Sequence, residues 1–168
     1  MKARAAERGF TLVELIITVA IVAILAALGV TNFLAFKEKT LVTIAIFDIN
    51  AISKTLLAET TDNPGGLPAG ESEYAAFCAA SGLPLLDPWG KPYQYYKLYG
   101  LTRQEVNQDK TARKKGPYKP LNYDFDLYSM GPDGQSKPTL SAKVSRDDIV
   151  RADDGAFIGK ASAIPLEE

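Results

Sequence analysis

The chain of 168 residues contains no histidine, a single cysteine, one tryptophan and two methionines. Without histidine, Ser-His-Asp and Cys-His catalysis are excluded, and so are the commonest zinc and iron ligand sets. The lone thiol, Cys78, excludes an intrachain disulfide in any compartment. Excess charge of one sign is also missing. Lys and Arg number 19 against 20 Asp and Glu, a formal net charge of −1, which argues against a nucleic-acid binder held by bulk electrostatics. Carboxylate or lysine chemistry stays open in principle, but no spacing of such residues proposes it.

Charge is absent in a second, local sense. After Gly9-Phe10-Thr11-Leu12-Val13-Glu14, residues 15–35 carry no charged side chain. As a helix, rising ~1.5 Å per residue, that run spans about 30 Å, the thickness of a hydrocarbon core. Lys2, Arg4 and Arg8 outnumber Glu7 ahead of it, so the positive-inside rule keeps the leader cytoplasmic and sends the rest of the chain across. Glu14 stands at the head of the run, where a carboxylate in lipid costs on the order of a few kcal/mol unless it lies at the interface or has a partner. A cleaved secretory signal would need a shorter apolar core followed by a small-residue site, which Ala26-Ala27-Leu28-Gly29 only imitates. A plain signal anchor leaves Gly9-Phe10 unexplained.

Beyond Lys37-Glu38-Lys39, apolar residues recur at Leu41, Ala45, Ile49, Ile52 and Leu56, one face of a helix. One long helix is therefore predicted over residues 11–58, ended by the turn chemistry of Asp62-Asn63-Pro64-Gly65-Gly66. Residues 71–81 predict a short second helix closed by Gly82, with Cys78 buried and inert on its apolar side. Asp87-Pro88-Trp89-Gly90-Lys91-Pro92 reads as a tight turn leading into a strand over residues 93–96, with Trp89 a packing anchor. Residues 122–130 alternate, with Tyr123, Phe125 and Leu127 on one face and Asp124 and Asp126 on the other, which predicts a half-buried strand. Residues 148–158 read as a hairpin around Asp154-Gly155. The basic run over 101–116, with Arg103, Lys110, Arg113, Lys114 and Lys115, reads as a solvated loop that could instead meet acidic patches on neighbouring subunits or secreted clients.

The N-terminal segment resembles that of type IV pilins and of the pseudopilins of type II secretion. Asp87-Pro88-Trp89-Gly90 with Tyr93, and Asp126-Leu127-Tyr128-Ser129-Met130-Gly131-Pro132-Asp133-Gly134, are similar to signatures of the major pseudopilins. The resemblance implies an α+β, type IV pilin-like fold: a transmembrane N-terminal helix and a small head with an antiparallel sheet of three or four strands. It implies a cleaved leader (1–9), a membrane part of the helix (10–36) and a periplasmic head (37–168). A prepilin peptidase would cut between Gly9 and Phe10 and methylate Phe10, and Glu14, one turn away, would neutralise the new α-amine, which in the resemblance belongs partly to a neighbouring subunit. A desolvated charge that needs its partner from the next copy is a physical reason for ordered assembly. The implied partners are copies of itself in a helical filament, minor pseudopilins, an inner-membrane assembly platform and the membrane, with no nucleic acid. The implied role is a structural one in driving folded proteins through an outer-membrane secretin, with no catalysis.

The resemblance also implies calcium, held by Asp133, Asp147, Asp148 and the carbonyls of Ser129 and Met130. Hard oxygen ligands on a loop suit that ion. Two departures stand beside it. The loop is longer and more cationic than the family's, and Arg146 occupies the position of the first of two later aspartates, so Asp147 would have to substitute. Many family members carry proline where this chain has Thr31, which keeps its backbone donor, so no sharp kink is expected although Gly29 weakens the helix locally. The nearest alternative is a type IV pilin of a surface pilus, against which the missing cysteine pair counts. A membrane-anchored enzyme or sensor sharing only the N-terminus is disfavoured by the absence of histidine and of any clustered catalytic constellation.

Overall fold

A computed structural model describes residues 9–62, 66–116 and 119–165. The expected leader residues Lys2, Arg4, Glu7 and Arg8, and the turn residues Asn63, Pro64 and Gly65, lie outside the described residues. The chain divides into two compact units, Met1–Lys39 and Thr40–Glu168.

In the first unit, helix α1 (Leu12–Asp62) begins, and it continues into the second. Its early apolar side chains, among them Leu15, Ile16, Val19, Val22 and Leu25, are all exposed. A helix that is apolar all round and exposed is matched to lipid, not water, and this one is long and apolar enough to cross a membrane. Its polar members spend their hydrogen-bonding groups on the helix itself. The Thr18 hydroxyl donates to the carbonyls of Glu14 and Leu15, both at 2.9 Å, and Asn32 Nδ2 donates to that of Leu28 at 3.1 Å. That is what a polar side chain must do where no water is available. The helix passes residues 29–31 without interruption.

The second unit is an α+β head. Helix α2 (Glu71–Ser81) is followed by strand β1 (Gln94–Lys97), helix α3 (Arg103–Gln108), and strands β2 (Phe125–Ser129), β3 (Ile149–Ala152) and β4 (Phe157–Lys160). The strands form one antiparallel sheet in the order β1-β2-β3-β4, with Tyr95 opposite Leu127, Tyr128 opposite Val150 and Val150 opposite Gly159. Four of the five predicted α1 positions, Ala45, Ile49, Ile52 and Leu56, are fully buried and pack on Tyr95, Phe125, Leu127 and Ile149 of the sheet; Leu41 is only half-buried. Helix α2 adds Tyr74 and Cys78 to this core, and the Tyr74 and Tyr95 rings stack with centroids 4.8 Å apart. Gly82 closes α2 in the left-handed conformation, φ 66°, and the Leu83 N–H donates to the Cys78 carbonyl at 2.9 Å. Burial pushes the Cys78 thiol up, so it is as inert as its neighbours suggested.

Two expectations are corrected here. The strand over 122–130 shortens to β2, and its acidic face is not solvated. Leu121, Leu140, Val150, Ala152, Ala161 and Ile164 form a second core on the sheet face away from α1, and Asp126 is buried beneath that cover while Tyr123, expected inside, is exposed. A sheet covered on both sides cannot be read from alternation alone, because the covering segments lie far away in sequence. The basic run is not a solvated loop either. Thr102 and Glu105 form a capping box that starts α3, Val106 and Ala112 pack against Leu98, and Arg113 and Lys115 turn inward. Lys115 reaches the carbonyls of Ala161 and Ile164 at 2.6 and 3.3 Å, so its ammonium is satisfied where it is buried.

Candidate functional site

The expected processing site, Gly9-Phe10, is exposed and precedes the first helical turn. At that turn Glu14 is already engaged. Its Oε2 accepts from the Thr11 N–H at 3.0 Å and from the Thr11 hydroxyl at 2.8 Å, while the Thr11 hydroxyl oxygen lies 3.3 Å from the Glu14 N–H that donates to it. This is a capping box built from Thr11-Leu12-Val13-Glu14. Sequence reasoning assigned Glu14 to assembly and missed this second job, although Thr-x-x-Glu ahead of an apolar run is its ordinary signature. Both hydrogen bonds described for the carboxylate fall on Oε2. A positive group approaching this helix end would meet a carboxylate already oriented, beside unpaired helix N–H groups and the positive end of the dipole.

In the head, the two motifs that carry the resemblance meet in space. Asp87 Oδ1 accepts from the N–H groups of Trp89 and Lys91 at 3.0 and 2.9 Å, which folds the turn, and Oδ2 accepts from the Ser129 hydroxyl at 2.5 Å. Ser129 Oγ in turn accepts from the Gly131 N–H at 3.0 Å. One carboxylate thus ties the Asp-Pro-Trp-Gly turn to the end of β2. Trp89 packs against the main core as expected of an anchor. Its neighbour Lys91 reaches the other way, with Nζ donating to the carbonyls of Gly131 and Pro132 at 3.3 and 3.0 Å.

The residues proposed for calcium are placed as follows. Ser129 ends β2 and is buried, with its hydroxyl spent on Asp87, and Met130 follows it half-buried. Asp133 is exposed and its Oδ1 accepts from the Gln135 N–H at 2.8 Å, an Asx turn. Asp147 is half-buried, with Oδ2 close to Gly131, where an added Cβ would stand 3.1 Å from it. Asp148 is fully buried, accepts from the Ser136 hydroxyl, and has Arg113 Nη1 3.8 Å from Oδ2. Its other oxygen, Oδ1, is buried without a hydrogen-bond partner among the described residues. Burial is the main cause that pushes Asp148 up to about 7; Ser136 and Arg113 oppose it, and Asp147 and Asp133 add to it. Among the described residues no three Asp, Glu, His or Cys side chains are grouped to hold a metal ion. As they stand, these ligands do not fit a calcium cage.

A cluster that sequence reasoning did not single out lies around Arg151, whose side chain is fully buried. Nη1 and Nη2 grip Asp124 at 2.6 and 2.5 Å, Nε donates to Ser53 Oγ on α1 at 2.8 Å, and the guanidinium lies over the Phe125 ring. It joins helix to sheet through hydrogen bonds. The available signal was the excess of Asp around residues 122–126, which demands a buried cation if the strand is covered.

Comparison with known proteins gives three results. The prokaryotic N-terminal methylation motif matches residues 4–30. A type II secretion system core protein G of Pseudomonas aeruginosa is 32% identical over 146 residues, covering 79% of this chain and 88% of its own, and one from Escherichia coli K12 is 30% identical over 150 residues, covering 80% and 88%. A fimbrial protein of Pseudomonas aeruginosa is 43% identical, but over 47 residues that make up 28% of this chain and 30% of its own. No solved structure matches the chain significantly.

Proposed function

Since the chain belongs to the type II secretion system core protein G family, the major pseudopilins, we propose that it is the repeating subunit of a periplasmic pseudopilus. In this reading a prepilin peptidase cuts after Gly9 and methylates Phe10. The subunit waits in the inner membrane with its head in the periplasm, and an assembly platform then draws it into a helical fibre with minor pseudopilins. The fibre acts mechanically, helping folded proteins through an outer-membrane secretin, and no catalytic step is assigned to the chain. The observation that carries the reading is the oriented carboxylate of Glu14 at the head of an exposed apolar helix. Burying that charge among bundled helices is costly unless a positive partner comes with the next subunit.

Glutamine at position 14 separates the two jobs of this residue. A capping box accepts Gln as well as Glu, whereas only the carboxylate neutralises an amine. Glu14→Gln is therefore expected to be processed and inserted normally and to yield few or no fibres by electron microscopy, like Glu14→Ala. Fibres from Glu14→Gln at the normal level would reduce Glu14 to a helix cap. Processing is checked separately: Gly9→Val is expected to leave the precursor uncut, and mass spectrometry of the normal chain to give a methylated species starting at Phe10. The short, more similar fimbrial match favours one rival, a surface pilus. Long surface fibres that retract, with secretion intact in their absence, would support that rival instead.

A further inference from the structure

Residues 130–148, between β2 and β3, form a long connection with little apolar core of its own; Leu140 is its one fully buried large apolar side chain among the described residues. Loops of such length need something to hold them. This one is rich in oxygen: the carboxylates of Asp133, Asp147 and Asp148, and the carbonyls of Gly131, Pro132 and Lys137, which accept from side chains outside the loop. Two cations enter it from outside. Lys91 comes from the Asp87 turn and donates to the carbonyls of Gly131 and Pro132. Its ammonium end lies where a Cβ on Gly134 would stand, and the φ of 68° there is one that glycine adopts without strain. Arg113 comes from the segment after α3. Its side chain is 5% exposed, its Nη1 donates to the Lys137 carbonyl and faces Asp148, and its guanidinium lies 3.5 Å from the centre of the Tyr128 ring.

An ammonium with three donors and a guanidinium with five can together satisfy several oxygens, and their summed charge equals that of one divalent ion. We propose that Lys91 and Arg113 hold this loop in place of a divalent metal, so that the head keeps its fold and its resistance to proteolysis without calcium. The arrangement of carboxylates agrees with this. Asp133 is turned to Gln135 and exposed, and Arg146 sits exposed beside Asp147, where it lowers the affinity for a second cation. The unpartnered Oδ1 of Asp148 is the one atom that a metal would still claim, and it makes the proposal testable.

The test uses the full chain in detergent, so its outcome does not depend on filament assembly. Thermal unfolding and limited proteolysis are followed in EGTA and in millimolar calcium, with terbium luminescence sensitised by Trp89 and the tyrosines as a probe of cation binding. The normal chain is expected to melt at one temperature and be cut at one rate in both conditions, with no saturable terbium signal that calcium displaces. Lys91→Met keeps the apolar stem and removes the charge. It is expected to raise cleavage within residues 130–148 about tenfold in either condition, through loss of two charged hydrogen bonds. Stabilisation of the normal chain by calcium, displaceable terbium emission, or unchanged cleavage of Lys91→Met would each overturn the proposal. If Lys91→Met does not fold, the normal chain in EGTA and calcium decides alone.

Discussion

At Arg151, replacement by methionine would keep much of the packing over Phe125 and strand the Asp124 carboxylate, whose side chain is only 19% exposed. Removing one partner of a buried, hydrogen-bonded pair costs about 3–5 kcal/mol, much of it the price of the orphaned charge. Urea denaturation of Arg151→Met is expected to show a loss of that order, and a double variant with Asp124→Asn to recover part of it. Cys78 gives a simpler check. With the thiol fully buried and pushed up by burial, maleimide labelling of the folded protein is expected to be negligible and to become complete in denaturant. Neither residue needs the membrane or a second subunit for its effect.

Between elements, Asp87 decides how the turn and the sheet meet. Asp87→Ala would leave the N–H groups of Trp89 and Lys91 and the Ser129 hydroxyl without an acceptor, and is expected to cost about 2–3 kcal/mol, read from thermal or urea unfolding. Ser129→Ala removes one of those bonds and should cost less. The helices were legible in the chain because the periodicity of Ala45, Ile49, Ile52 and Leu56 is local and strong, and Gly82 is a direct stop signal. The hairpin of β3 and β4 was equally plain, since Asp153, Asp154 and Gly155 all adopt positive φ, and Asp and Gly tolerate that better than other residues. Helix α3 was hidden by the charges around it, yet Thr102 with Glu105 three residues on was a readable start. What could not be read was the direction in which Arg113 and Lys115 point, because long amphipathic side chains lie in solvent or core according to what packs on them.

For the molecule as a whole, the buried carboxylates set the response to pH. Burial pushes Asp126 up to about 6, against the hydrogen bonds from the Arg113 N–H and Asn122 that favour its charged form. An unfolded Asp titrates near ~3.9, so between the two values the folded state binds more protons than the unfolded one. Asp148, pushed up to about 7 by its own burial, acts in the same direction, so stability is expected to rise as the pH falls from about 8 to about 5 and to be lost again as the pH rises through about 6 and 7; Asp126→Asn should remove the part near 6 and leave the part near 7. Nearer pH 4 the trend should reverse as carboxylates held low, such as Glu105 bonded to Thr102, take up protons. The sequence alone determined the uncharged helical run behind Glu14, the processing motif, the apolar face of α1 and the family, because each is encoded by neighbours one to four residues apart. Only the tertiary structure decided that both faces of the sheet are covered, that Asp126, Arg113 and Arg151 lie inside, and that Lys91 meets the loop after β2. Those outcomes depend on contacts between segments tens of residues apart, where burial turns a solvated charge into one that must find its partner.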